Sequence, residues 1–132
     1  TVWHSAHGPS DKKGRQRMRL GIIGSRTFAD YDKFLAVFGS LIYRDDITEI
    51  VSGGAIGADL LAEKYADYWQ IPKRVFFPDW QKHGKKAGFV RNAEIVAGCD
   101  VLMAFWDGQS RGTKDSIDKA RQMRKTTIIV YV

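Results

Sequence analysis

Residues 47–69 read ITEIVSGGAIGADLLAEKYADYW, and the fold is legible from this stretch outward. Ile47–Ser52 has the apolar and β-branched residues of a strand, and Gly53 and Gly54 close it. The period then changes. Ala58, Leu61, Ala62, Tyr65, Ala66 and Trp69 recur on one face of a helix, and Pro72 stands beyond its end. Strand, glycine turn and amphipathic helix in direct succession are the first part of a crossover between parallel strands.

The same alternation runs on both sides. Upstream, the apolar run 20–23 ends in Gly24 and Ser25. Tyr31, Phe34, Leu35, Phe38, Leu41 and Ile42 then recur at helical spacing behind Asp30, a capping residue. Downstream, 73–77 reads as a third strand ended by Pro78, and 79–86 as a polar, basic loop. Phe89, Ala93, Val96 and Ala97 mark a shorter helix. Val101–Trp106 is a fourth strand, Thr113, Ile117, Ala120 and Arg124 follow at helical spacing, and 127–132 is a fifth strand. Strands with almost continuous apolar runs suit a sheet covered on both faces. With right-handed crossovers, the expected fold is α/β, a doubly wound, mainly parallel five-stranded sheet in the order 3-2-1-4-5. Its ligand crevice would lie between strands one and four.

Bulk properties narrow the function classes. The 132 residues suit one domain, and 44% apolar with 27% charged is ordinary globular composition. No apolar run approaches a membrane span and no stretch reads as a signal peptide, so the expectation is a cytoplasmic protein without membrane contact. Cys99 stands alone in an apolar stretch and reads as an inert thiol. No set of His and Cys has metal-site spacing, and no cofactor is required. The net charge is +6, but residues 1–19 hold five basic residues against Asp11, leaving +2 for the other 113. Residues 1–17 therefore read as a mobile basic tail, or an appended remnant or linker, and residues 18–132 as the folded domain.

The residues that carry chemistry follow strand ends: GSRTF at 24–28, SGGAIGAD at 52–59 and WDGQSRGT at 106–113. Strands two, one and four are neighbours in the expected order, so these turns would meet around one crevice. Gly24, Gly53, Gly54, Gly57 and Gly112 let backbone approach a ligand without a Cβ in the way. The amides and dipole of each following helix favour an anion. Arg26 and Arg111 add cations able to pair bidentately with phosphate, and Arg91 with Asn92 stands in GFVRN on the third long helix. Ser25, Ser52, Ser110 and Thr113 could donate further hydrogen bonds, or cap turns and helices. Asp59 and Asp107 read either as helix or turn carboxylates or as ligand contacts; Asp59 is also the candidate acid or nucleophile beside a glycosidic bond. Trp80 and Trp106 could stack on a base or pack in the core. The spacing is neither GxGxxG nor a P-loop, which would need a lysine.

GSRTF, SGGAIGAD, PDW, GFVRN and AFWDGQSRGT occur in order, and together they resemble the YspA/YpsA-related branch of the SLOG superfamily over residues 18–132. That superfamily also contains the LOG phosphoribohydrolases and the DNA-binding protein DprA. The resemblance implies a Rossmann-like fold and binding of nucleotides or nucleotide-derived ligands, some members cleaving N-glycosidic bonds. Carried over, the implied ligand site takes Gly24, Ser25 and Arg26, then Gly53, Gly54, Gly57 and Asp59, then Arg91, Asn92, Gly112 and Thr113. The chain departs from the LOG pattern PGGxGTxxE: 52–58 replaces its opening, Leu61 stands where the catalytic glutamate would fall, and Asp59 and Glu63 are out of register.

The leading expectation is a sensor, carrier or sequestering module for a phosphate-bearing, nucleotide-type small molecule. The alternatives are an enzyme cleaving the N-glycosidic bond of nucleoside monophosphates through Asp59, and single-stranded nucleic-acid binding through the basic tail. An exposed helix face could also pair subunits into a homo-oligomer.

Overall fold

A computed structural model describes residues 17–132, so the expected basic tail lies, except for Arg17, outside the described residues. The sheet is formed by β1 (Met18–Gly24), β2 (Ile47–Ser52), β3 (Lys73–Val75), β4 (Val101–Trp106) and β5 (Thr126–Tyr131). All neighbours are parallel, in the order β3-β2-β1-β4-β5. The helices are α1 (Tyr31–Leu41), α2 (Ala58–Trp69), α3 (Trp80–His83), α4 (Ala87–Ala97) and α5 (Arg111–Gln122), with short 3-10 turns at Arg44–Asp46 and Gly84–Lys86. This is a Rossmann-like α/β fold with the expected strand order.

Two cores cover the sheet. Phe34 and Phe38 of α1 and Ala58, Ala62 and Tyr65 of α2 pack on Leu20, Ile22, Met103 and Phe105. Phe105 is central: its ring lies 5.2 Å from both Phe28 and Phe34. On the opposite face, Ile95 and Val96 of α4 and Ile117 and Ala120 of α5 cover Ile23, Val51, Leu102 and Ala104. Residues alternate between faces along each strand, and both faces are dry, which accounts for the unbroken apolar runs. The edges are defended by charge: β3 pairs Lys73 with Asp67 at 2.9 Å and Arg74 with Glu49 at 3.6 Å. Among the described residues no helix is long and apolar enough to cross a membrane.

Four local expectations change. The stretch 79–86 is helical rather than a loop: Asp79 caps α3 by accepting from the Lys82 amide at 3.0 Å, and the 3-10 turn follows. The third strand stops at Val75 instead of 77 because its partner β2 ends at Ser52; the Phe76 amide makes one last bond to the Ser52 carbonyl at 2.9 Å. The buried face of α4 is Ala87, Asn92, Ile95 and Val96, not the face that includes Phe89 and Ala97. Asn92 can take an interior position because its amide is fully occupied, and Phe89 turns outward, 50% exposed. Arg124 lies beyond α5, with a left-handed φ of 57°.

Candidate functional site

The turns after β1, β2 and β4 converge on a cleft of two adjoining cavities at the carboxyl edge of the sheet. The first, about 370 Å³, is polar: Gly24, Ser25, Arg26, Asp59, Asn92, Asp107, Ser110, Gly112 and Thr113 contribute to its walls. The second, about 390 Å³, is lined by Gly53, Gly54, Phe77, Pro78, Trp80, Lys85, Gly88 and Phe89. Arg26, Ala55, Arg91, Asn92 and Gly112 line both, so the two cavities share a wall.

The turns are held together by backbone contact. Gly57 has φ +89°, and a Cβ there would strike the Ser25 carbonyl and lie 2.8 Å from Arg26 Cα. Only glycine lets the second turn press so closely on the first. The first turn in turn hangs on β4: the Ser25 amide donates to the Phe105 carbonyl at 2.8 Å, and Ser25 Oγ accepts from the Asp107 amide at 3.0 Å. The third turn is built by Asp107, whose carboxylate accepts from the amides of Gln109 and Ser110, both at 2.8 Å. Those bonds, the Ser110 one first, hold its pKa below the ordinary carboxylate value. Ser110 then caps α5, accepting from the Thr113 amide.

A polar chain crosses the cleft from α2 to α5. Asp59, buried in the first turn of α2, accepts from the Gly53 amide at 2.9 Å and the Ala55 amide at 3.4 Å. Burial pushes its pKa up to about 6, against the two amide bonds and the nearby Arg91 charge. Arg91 donates from Nη1 to the Gly53 carbonyl at 2.6 Å and from Nε to Asn92 Oδ1 at 3.1 Å. Its own pKa is lowered, chiefly by burial. Asn92 Nδ2 reaches the Gly112 carbonyl at 3.3 Å and Asp115 Oδ2 at 3.1 Å, and Lys119 closes on Asp115 at 2.6 Å. Arg26 is exposed at the cleft mouth. The arrangement presents two guanidiniums and two helix N-termini to one hollow, which can hold an anion with a polar body attached.

Of the other sequence candidates, Ser52 lies beneath the site, with Oγ 3.3 Å from Glu63 Oε2. Gly57 serves the turn contact rather than a cavity wall. Arg111 is exposed on the first turn of α5 and lines neither cavity, because the turn places its neighbours Ser110 and Gly112 there instead. Trp106 spends its indole N–H on the Ser110 carbonyl at 3.1 Å, with its ring 5.9 Å from that of Tyr131. Leu61, standing where LOG enzymes have their glutamate, faces the core. Sequence reasoning missed Phe77 and Phe89 as cleft residues, one having been read as strand and the other as part of a helix face.

Residues 18–83 match the model of the YspA, cpYpsA-related SLOG family. The chain is 35% identical to the Gene 61 protein of Mycobacterium phage D29, the match covering 79% of this chain and 89% of that protein. Its fold is similar to that of DNA processing protein A (DprA) from Streptococcus pneumoniae, with a TM-score of 0.70 and 15% identity over 86% of this chain. There the chain spans 50% of the other protein, and the likeness is one of fold. With the sheet order, the three converging turns and these matches together, the chain belongs to the YspA, cpYpsA-related SLOG family.

Proposed function

We propose that the cleft binds a phosphate-bearing nucleotide or nucleotide-derived molecule, and that the protein acts as its sensor, carrier or sequestering module. One observation carries the reading: Arg26 and Arg91 stand on the wall common to both cavities, beside the N-termini of α2 and α5. The hydroxyls of Ser25 and Thr113 line the polar cavity and supply partners for a sugar, and both side chains are held in place by bonds within the turns. Membership of the family supports a nucleotide-related role in general. Isothermal titration against AMP, ADP-ribose, NAD and cyclic nucleotides tests it. At least one should bind, and Arg26→Ala should weaken it by about tenfold or more, as loss of a charged hydrogen bond does. Uniform absence of heat and of competition by inorganic phosphate would refute the reading.

A second reading, cleavage of a nucleoside N-glycosidic bond, draws on Asp59, a carboxyl at the cavity wall with its pKa near 6, suited to proton transfer. Against it, Oδ2 already accepts two backbone amides. Base release from nucleoside monophosphates, followed by chromatography, should be undetectable under the binding reading and abolished in Asp59→Asn under the enzymatic one.

A further inference from the structure

The second cavity differs in chemistry from the first. Phe77, Trp80 and Phe89 come from three separate places: beyond β3, from α3, and from α4. Each leaves much of its ring in water, with exposures of 69%, 58% and 50%. Single exposed aromatics need no explanation, but three lining one hollow do. Gly53, Gly54, Gly88 and Gly112 line the same hollow without side chains. At Gly54, where φ is +70°, an added Cβ would come within 2.5 Å of Phe77 Cε1, so the ring lies directly against the turn. Trp80 Cη2 approaches the Cβ position of Gly88 at 4.0 Å, so the indole is supported from beneath by α4. A slot with aromatic sides and a glycine floor matches a flat ring better than a sugar or a flexible chain.

We propose that this compartment is a ring-stacking subsite: a ligand anchored by phosphate at Arg26 and Arg91 lays a planar heteroaromatic ring among Trp80, Phe77 and Phe89. The proposal rests on the phosphate reading above and adds the nature of the second half of the ligand. The shared wall fixes the order of the parts. The anion sits at the waist, the ring lies on the α3 side, and any further sugar lies in the polar cavity beside Ser25 and Asn92. Lys85, at the rim of the aromatic compartment, is placed to meet a ring carbonyl or a second phosphate.

Ribose 5-phosphate and AMP separate the parts, since they share the phosphate and differ in the ring. Both are titrated into the full chain and into Trp80→Ala, Phe89→Ala and Trp80→Phe, with thermal unfolding as a check that each variant folds. AMP should bind the wild type about tenfold or more tightly than ribose 5-phosphate, stacking being tolerant of the base offered. Trp80→Ala should remove about 5- to 100-fold of AMP affinity while leaving ribose 5-phosphate unchanged, and Trp80→Phe should restore most of it. Phe89→Ala should show the same selectivity independently. If both sugars bind the wild type equally, or Trp80→Ala and Phe89→Ala weaken both probes alike, the subsite is refuted while the phosphate site stands; the aromatic trio then belongs to a protein contact. If neither probe binds, the subsite falls, and the phosphate reading falls with it when ADP-ribose, NAD and the cyclic nucleotides also fail to bind.

Discussion

At Asp59, solvation and hydrogen bonding pull in opposite directions. Burial disfavours its charge, while the amides of Gly53 and Ala55 and the guanidinium of Arg91 favour it, and burial wins, with a pKa near 6 against the ordinary 3.8. The folded chain therefore holds this proton to a higher pH than the unfolded chain does. Its contribution to stability is full below the ordinary carboxyl value and is lost as the pH rises through about 6. Two pKa units correspond to on the order of 2–3 kcal/mol. Asparagine keeps an acceptor for both amides but cannot ionise. Urea unfolding of wild type and Asp59→Asn from pH 4 to pH 7.5 should show the wild type losing about that amount relative to the variant. Parallel curves would mean that Asp59 titrates alike in the folded and unfolded chains. The sequence marks Asp59 as a first-turn carboxylate of α2, and so it is. Its bond to the preceding turn could not be read there, because it depends on the chain doubling back at Gly57 to bring residue 59 under residue 53.

The elements that frame the cleft differ in how they announce themselves. α1, α2 and α5 carry a period long enough to be read directly, and β1, β2, β4 and β5 carry apolar or β-branched runs of strand length. The segment 80–86 does not: one turn of helix and one of 3-10 hold too few residues to display a period, and their lysines and His83 resemble a loop. Its order comes from local bonds, the Asp79 cap to the Lys82 amide and the His83 amide to the Asp79 carbonyl, both at 3.0 Å. Asp79→Ala should destabilise the segment by about 1 kcal/mol. Because few core contacts hold it, the effect should be local. Amide exchange at Lys82 and His83 should quicken about fivefold while the midpoint of global unfolding hardly moves, whereas a loss of about 1 kcal/mol in global stability would show the turn to be part of the main cooperative unit. α4 failed in a different way. Its period was visible, but its face was misassigned by ranking Phe89 as part of the apolar face and leaving Asn92, read as a ligand contact, out of it. Asn92 is inside because Gly112 and Asp115 satisfy its amide, and no one-dimensional pattern carries that information.

For the molecule as a whole, parallel strands put every strand-to-helix turn at the same edge, and the strand order common to this fold class, which the sheet has, makes the three distant turns neighbours there. The partition of that edge into a polar and an aromatic cavity was not legible, since it depends on where β2 lets β3 go after Ser52. Charge is the remaining property that belongs to the whole chain. Residues 20–132 carry only +2, and the arginines of the cleft stand among Asp59, Asp107 and Asp115, so net charge gives the folded part little general attraction for a polynucleotide backbone. Affinity for a dT oligonucleotide should therefore reside in residues 1–17, fall steeply with salt, and drop about tenfold or more when those residues are removed. AMP affinity should change less than about twofold on the same truncation, because the residues that line the cleft run from Ile23 onward. Fluorescence anisotropy of the labelled oligonucleotide at several salt concentrations, with and without competing AMP, measures both. An oligonucleotide that binds the truncated chain undiminished and is displaced by AMP would put the nucleic acid in the cleft itself, with Trp80 and its neighbours as the stacking platform for a strand rather than for a free nucleotide.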